Sequence, residues 1–391
     1  MAPPVRRTLY RLEATTTLRQ PPVRRTLPRL EATTALRQPP ALADDLLEEI
    51  LLRIASPADL ARASAACASF RRLVADPVFL AKYRSRHPPL LLGFLHSASG
   101  GFHPAEAPHP SAAAARALAG AAGFSFDDYL PRGRGSRWCP CDVRDGRVLL
   151  QSSAADEEVA TLPDLAVCCP LSRRYLLLPR LPDDIFQAQE QRFQGFEAFL
   201  VPSGDWEHTS FRVIAKTNYM KKLAIFIFFS GSRRWNVGTF TSWEALSLPP
   251  DGHNRISCLL AMHWLHSYAY GCFYWKLYRK SKMIKFDINN MEFSTVDLPP
   301  GYDKRKIVIV EAGEGMIGMF SQMSDSVSLQ YTICQNEGDM SNELKMGDII
   351  PSPVVYRRDI VAASGGYIML LGHPPTAAVD TVALSLDIKR L

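Results

Sequence analysis

Apolar positions along the chain follow two different rhythms. Between residues 41 and 86 they recur at three- and four-residue steps: Leu42, Leu46, Leu47, Ile50, Leu51 and Ile54, then Leu60, Ala63, Cys67, Phe70 and Leu73. That spacing lines one face of a helix. The predicted helices carry start signals. Asp44 and Asp45 stand where the first helix needs a cap, and Glu48 and Glu49 follow near its positive end, where carboxylates are favoured. Ser56-Pro57-Ala58-Asp59 reads as a capping box with proline at the first helical position. Leu60 to Leu73 reads as one continuous seam, and Asp76-Pro77 ends it and opens a last helix carrying Val78, Phe79, Leu80 and Tyr83. The first helix offers a wider apolar stripe than so short a module can cover internally.

From residue 138 onward the helical rhythm stops and short strand-like runs take over. They are Arg147–Gln151, Tyr175–Leu178, Phe196–Val201, Phe211–Lys216, Leu223–Phe229 and Trp235–Phe240, then Ile256–Leu260, Tyr270–Trp275, Met283–Ile288, Phe293–Asp297, Ile307–Val310 and Val327–Ile333. Asp145-Gly146, Asn289-Asn290 and Gly365-Gly366 suit hairpin turns. Strands at this spacing without intervening helices predict an antiparallel sandwich, barrel or propeller. Leu-Pro stops recur at 178–179, 248–249 and 298–299, a hint of repetition near blade length. The longest apolar run, Leu223 to Phe229, has the length of a buried strand and is far too short to span a bilayer.

Two further segments complete the organisation. Residues 87–137 form a connector of proline, glycine and serine clusters, with Ser111 predicted to cap an alanine-rich helix over 112–119 that Gly120 ends. Residues 1–40 hold a tandem repeat: PPVRRTLYRLEATTTLRQ at 3–20 recurs as PPVRRTLPRLEATTALRQ at 21–38. Sparse apolar residues and proline pairs predict a disordered basic arm, with a targeting peptide or a nucleic-acid arm as the sharper alternatives.

Charge changes the picture only once it is located. The net charge is +6, and residues 1–40 alone hold eight arginines against two glutamates. The rest of the chain is balanced, so neither a phosphate-binding face nor a nucleic-acid partner is expected from it. Eight cysteines in a chain without a secretory apolar region suggest reduced thiols in the cytoplasm or nucleus, and no membrane association is expected.

Candidate chemistry is thin. Gly313-Glu314-Gly315-Met316-Ile317-Gly318 matches a dinucleotide-binding spacing and follows a strand-like run, but the residues after it read as strand, turn, strand. A hairpin is expected there, because a nucleotide site needs a helix to open at the glycines. Cys139-Pro140-Cys141 and Cys168-Cys169 lack zinc-like pairing, and His263 and His266 lack metalloprotease spacing. His87, His96, His103 and His109 show no compact ligand spacing. No nucleophile elbow, phosphate loop or acidic dyad occurs, so catalytic, cofactor-binding and metal-ligating residues are all assigned as none. Trp206, Trp235, Trp243, Trp264 and Trp275 are expected mostly in the core.

The segment 41–86, through LxDDLLxEILLRI, SPADLxRxS and CxSFRRLVxDPxF, resembles the F-box family, with Ala43 and Phe70 standing where that family usually has Pro and Trp. HPPLLLGF and the following GGFHP resemble F-box proteins abundant in grasses. WxxxDVRDGRVLL (138–150), CPLSRRYLLLP (169–179) and EAGEGMIGMF (311–320) resemble the β-propeller-like domain joined to plant F-boxes. The resemblance implies an α+β multidomain chain, a small helical F-box followed by an all-β, propeller-like substrate-recognition domain over 138–391. An incomplete ring is one expectation, because the chain ends at SLDIKRL. The implied function is non-catalytic: the substrate-recognition subunit of an SCF-type E3 ubiquitin ligase. Leu42, Leu46, Leu47, Ile50, Leu51, Ile54, Leu60, Ala63, Cys67, Phe70 and Leu73 would meet a Skp-family adaptor and, through it, a cullin. The β-domain would hold an unidentified protein substrate. The alternatives are an F-box interaction protein outside ubiquitination, or an enzyme built on the β-domain.

Overall fold

The computed structural model describes residues 43–87, 90–95, 101–131, 137–152, 162–181, 193–202, 210–219, 221–248, 266–313, 315–323, 328–335, 345–350, 357–364, 366–373 and 382–388. The arm 1–40, Leu42, His96, the expected strand Ile256–Leu260, Trp206, His263 and Trp264 lie outside the described residues.

Four helices come first: α1 (Asp44–Leu52), α2 (Pro57–Ala66), α3 (Ala68–Ala75) and α4 (Pro77–Arg86). Ser56 Oγ accepts from the Asp59 amide at 3.3 Å and Asp76 Oδ1 from the Val78 amide at 2.7 Å, each just ahead of a proline at the first helical position. Two expectations are corrected. The residue capping α1 is Ala43, with no side-chain bond, and Asp44 and Asp45 lie inside the first turn. The seam from Leu60 to Leu73 is broken at Cys67, which is extended at φ −153°, ends α2 and caps α3 by accepting the Phe70 amide on Sγ at 3.5 Å. The alanines of this stretch carry helical propensity but no packing bulk to hold a single rod together.

The connector is more than a linker. It forms a hairpin of β1 (Gly93–Leu95) and β2 (Phe102–Pro104), then α5 (Ala112–Ala121) and a 3₁₀ turn at Phe126–Asp128. Gly120 lies within α5 rather than ending it, and Ser111 makes no side-chain cap. Leu95, Phe124 and Tyr129 pack with buried Phe126, Leu130 and Trp138 against the first sheet beyond, so the connector is anchored to the β-domain.

Five antiparallel meanders follow. The first holds β3 (Trp138–Arg144), β4 (Arg147–Ser152), β5 (Leu165–Cys169) and β6 (Arg174–Leu177). The second holds β7 (Phe193–Leu200), β8 (Arg212–Tyr219), β9 (Lys222–Phe229) and β10 (Arg234–Ser242). The third holds β11 (His266–Ala269), β12 (Cys272–Lys276), β13 (Lys282–Asp287) and β14 (Glu292–Asp297). The fourth holds β15 (Arg305–Glu311), β16 (Met316–Met323), β17 (Leu329–Gln335) and β18 (Lys345–Ile350). The last described sheet has three strands, β19 (Arg357–Ser364), β20 (Tyr367–His373) and β21 (Val382–Asp387).

Consecutive sheets share apolar clusters, face against face. Leu149 and Val167 meet Phe196 and Phe228, Phe199 and Ile225 meet Phe273 and Trp275, Tyr274 and Met283 meet Ile309 and Met319, and Val308 and Phe320 meet Ile360 and Ile368. The first strands approach one another: β3 meets β7, β11 meets β15 and β19, and β15 meets β19. The Arg144 guanidinium of β3 also lies 5.3 Å over the Tyr268 ring of β11. Meanders stacked in order with their first strands innermost make a propeller-like arrangement, in which little sheet edge is left toward the centre.

The Leu-Pro stops acquire a physical meaning here. Leu178, Leu248 and Leu298 are each buried just past the fourth strand of a sheet. The leucine enters the core as the chain leaves the ladder, and the proline that follows cannot donate to extend it.

Turn chemistry is equally plain. Asp145 (φ 52°) and Gly146 (φ 73°) turn β3 into β4. Gly313 (φ 86°) and Gly315 (φ 75°) lie in the hairpin from β15 to β16, closed by the Met316 amide on the Gly313 carbonyl at 2.7 Å. The dinucleotide-like spacing is thus a hairpin, with no helix at the glycines.

Candidate functional site

The helical module has a small core of Leu51, Leu52, Leu60, Phe79 and Tyr83, flanked by Ile54, Ala63, Leu73, Val74 and Leu80. Tyr83 Oη donates to the Ile54 carbonyl at 2.8 Å, and His87 Nε2 bonds the Leu52 carbonyl at 2.8 Å, which closes the end of α1. Burial pushes the Tyr83 hydroxyl's pKa up, so it stays a neutral donor. Charges then hold α1 to its neighbours from outside: Arg72 to Asp44 at 2.7 Å, Lys82 to Glu48 at 2.6 Å and Arg86 to Glu49 at 3.2 Å.

This packing sorts the described candidate residues by exposure. Leu51 and Leu60 point inward and are core. Leu47, Ile54, Ala63, Phe70 and Leu73 are half-buried, and Cys67 is exposed. Leu46 and Ile50, one turn apart on α1, remain 56% and 52% exposed. Side chains four apart on a helix lie one above the other, so these two form a continuous apolar stripe beside the salt-bridged acids. Val78 on α4, half exposed, was not among the sequence candidates.

The β-domain offers a second cluster that an enzyme would need to exploit. Glu197 of β7 is buried and takes three partners: Lys216 Nζ of β8 at 3.1 Å, His266 Nδ1 of β11 at 2.8 Å and Trp275 Nε1 of β12 at 2.8 Å. Burial pushes the Glu197 carboxyl up, but the Lys216 ammonium and the His266 bond outweigh it and hold the pKa at about 2. Such a carboxylate is a poor proton acceptor at neutral pH. Lys216 is 1% exposed and lies 5.0 Å from the Trp275 ring centroid, while Phe199 and Phe273 flank His266. The geometry is that of a closed polar brace between the second and third sheets.

Lys276 is similar in kind. Burial lowers its pKa to about 8, and its Nζ donates to the carbonyls of Leu277 (2.6 Å), Lys280 and Asp303 (3.4 Å), which engage it as a donor rather than free it as a nucleophile.

Among the described residues there is no group of three or more His, Cys, Asp or Glu that could hold a metal ion. Trp235, Trp243 and Trp275 are buried, and His103 stacks on Phe94 at 4.8 Å. The described cysteines are free thiols. No helix among the described residues is long and apolar enough to cross a membrane.

No family model matches the chain, and no curated protein sequence matches it. Solved structures match at low similarity. YCF48 bound to D1 peptide shares 9% identity over 61% of this chain and 61% of its own, with a TM-score of 0.32. Oligopeptidase B from Trypanosoma brucei, with covalently bound antipain, shares 10% identity over 68% of this chain and 34% of its own, with a TM-score of 0.31. A β-1,3-galactosidase with galactodeoxynojirimycin shares 10% identity over 62% of this chain and 88% of its own, with a TM-score of 0.33. The chain therefore spans less than two thirds of the first two. At these scores what those proteins bind or cleave stays with them.

Proposed function

We propose that residues 41–86 are an F-box that docks on a Skp-family adaptor, and that the protein is the substrate-recognition subunit of an SCF-type E3 ubiquitin ligase. The single observation that carries this reading is the Leu46–Ile50 stripe, two large aliphatic side chains left in solvent on a helix whose opposite side is core. Covering each fully is worth roughly 1.5–3 kcal/mol, which a groove on a partner would supply. The module's sequence resemblance names the kind of partner. Leu46 and Ile50 would enter the adaptor groove, Leu47, Ile54, Phe70 and Leu73 would line its margin, and Leu51 and Leu60 would hold α1 in shape. Leu42 joins the set on resemblance alone.

In this reading the chain performs no bond chemistry. The F-box fixes the adaptor, the propeller-like domain fixes a target protein, and the target's lysines are held near a ubiquitin-charged conjugating enzyme, an effective-concentration effect. Co-purification from cells followed by polyubiquitination in a reconstituted ligase tests it. The expected result is adaptor and cullin in the complex and ubiquitin chains on a co-purified protein. A chain that never retains adaptor would sink the reading, and adaptor without cullin would assign the protein to F-box interactions outside ubiquitination.

A further inference from the structure

The faces of the sheets are covered by their neighbours, but their outer edges differ. The outer hairpins of the first two sheets repeat one turn, with loops of four residues, 170–173 and 230–233, joining β5 to β6 and β9 to β10. Each loop ends on an arginine at positive φ, Arg173 and Arg233, both at 53°, and a second arginine, Arg174 or Arg234, opens the next strand. The sequence carries the repeat as Ser172-Arg173-Arg174-Tyr175 and Ser232-Arg233-Arg234-Trp235. The register is the same, with Cys169 opposite Arg174 and Phe229 opposite Arg234. All four arginines are exposed, and among the described residues none of them forms an ion pair. The two sheets touch along this side. Trp235 Nε1 donates to the Pro179 carbonyl at 2.6 Å, and the Arg147 guanidinium lies 5.4 Å over the Phe211 ring.

Apolar side chains share this rim. Leu171 is 63% exposed in the first turn, Tyr175 and Leu177 are exposed on β6, and Val237 and Phe240 are exposed on β10. The third sheet presents the same turn with the opposite character. Its loop 288–291 ends on Met291 at φ 57°, and Glu292 takes the arginine's place, opposite Asp287. Among the described residues β14 carries no exposed large apolar side chain, so the combination ends at the third sheet. Cations beside exposed apolar groups fit a chain that offers carboxylates and apolar side chains together. A nucleic acid would engage the arginines through its phosphates but has little aliphatic surface to cover Leu171 or Val237. A bilayer takes apolar groups lying in one plane, whereas at about 3.3 Å per residue Phe240 stands roughly 20 Å along β10 from Arg234. Both β6 and β10 are the outer edges of their sheets, where an extended protein segment can pair and a lipid cannot.

We propose that the outer rim of the first two sheets is a docking surface for an acidic protein segment that also carries aliphatic or aromatic side chains. The proposal is independent of the ligase assignment. A phage-displayed library of random peptides is selected on the full-length protein, and the enriched peptides are synthesised with a fluorescent label. Enrichment of sequences that combine Asp or Glu with Leu, Val or Phe is expected. Fluorescence anisotropy should then show about thirtyfold weaker binding to a variant with Arg173, Arg174, Arg233 and Arg234→Glu. The loss should be about tenfold when the same four are changed to Gln, and about threefold for Leu171→Ser. Binding to Leu46→Asp/Ile50→Asp should equal that of the wild type, which separates this surface from the adaptor face. Enriched peptides without acidic residues, or acidic peptides that bind the Gln variant as tightly as the wild type, would overturn the surface. Arginine-dependent binding of duplex DNA or of phosphatidylserine vesicles, tighter than that of any enriched peptide, would overturn a protein segment as its occupant.

Discussion

The helical module and the β-domain solve the same problem with opposite distributions of charge. In the module the apolar core is five buried side chains, and ion pairs such as Arg72–Asp44 sit outside it in solvent. In the β-domain, sheet after sheet is covered on its faces, and the Glu197–Lys216–His266–Trp275 brace lies inside. Exposed pairs contribute little, because solvent screens them and ordering two long side chains costs entropy. A buried pair is costly to break, because the survivor is left charged in a poor solvent. The β-domain therefore satisfies its polar groups within its own fold, whereas the module keeps Leu46 and Ile50 uncovered and closes its surface with weak contacts. The first is closed upon itself face to face, and the second leaves an apolar face in solvent.

The largest effect should come from breaking the brace. Glu197→Ala leaves the Lys216 ammonium buried without its carboxylate and should cost roughly 3–5 kcal/mol, read as a lowered thermal midpoint of the β-domain. The same residue sets an acid limb. Its folded-state pKa is depressed from 4.5 to about 2, so its contribution is fully present above the ordinary carboxylate value and is lost as pH falls from there toward 2. Thermal melts at descending pH should show this loss in the wild type and a flatter acid limb in Glu197→Ala. An equal acid response in both would place the brace's charge elsewhere.

Phe79→Ala should cost the module about 3–5 kcal/mol, which a core this small cannot absorb. Hydrogen exchange should then accelerate across 44–87 while β8 and β9 keep their protection. Loss of protection in both regions would mean that the module and the β-domain fold as one unit. Asp76→Ala removes the cap of α4 at about 1 kcal/mol, visible as faster exchange at Val78 and its neighbours. Asp44→Ala, at the exposed end of the contrast, should change stability by about 0.5 kcal/mol or less in a denaturant titration.

Much of the scaffold was written in local signals. Aspartate-glycine at 145–146, the glycines at 313 and 315, the Ser56 and Asp76 caps and the Leu-Pro stops each specify one backbone event, and each lies where its chemistry requires. What depended on distant neighbours was not legible. Glu197 and Lys216 are lone charges in otherwise apolar strand runs, and nothing local shows that the next sheet covers that face. The strand β11 spans only His266–Ala269, too short for a periodic signal, and β3 hid behind Cys-Pro-Cys. The exposed Leu46–Ile50 stripe was legible as apolar, but its separation from the Leu51 core was not. Both belong to the same three-four pattern, and only the packing of α1 against α3 and α4 decides which leucines face outward.

That separation gives the most direct test. Isothermal titration of a purified Skp-family adaptor into the full-length protein is compared with the same titration into Leu46→Asp/Ile50→Asp, a variant that leaves the Leu51, Leu60 and Phe79 core untouched. The expected result is saturable binding by the wild type and a loss of about a hundredfold or more in the variant, with the thermal midpoint of the β-domain unchanged. No binding by the wild type, or equal binding by the two, would contradict the assignment of α1 as the docking face.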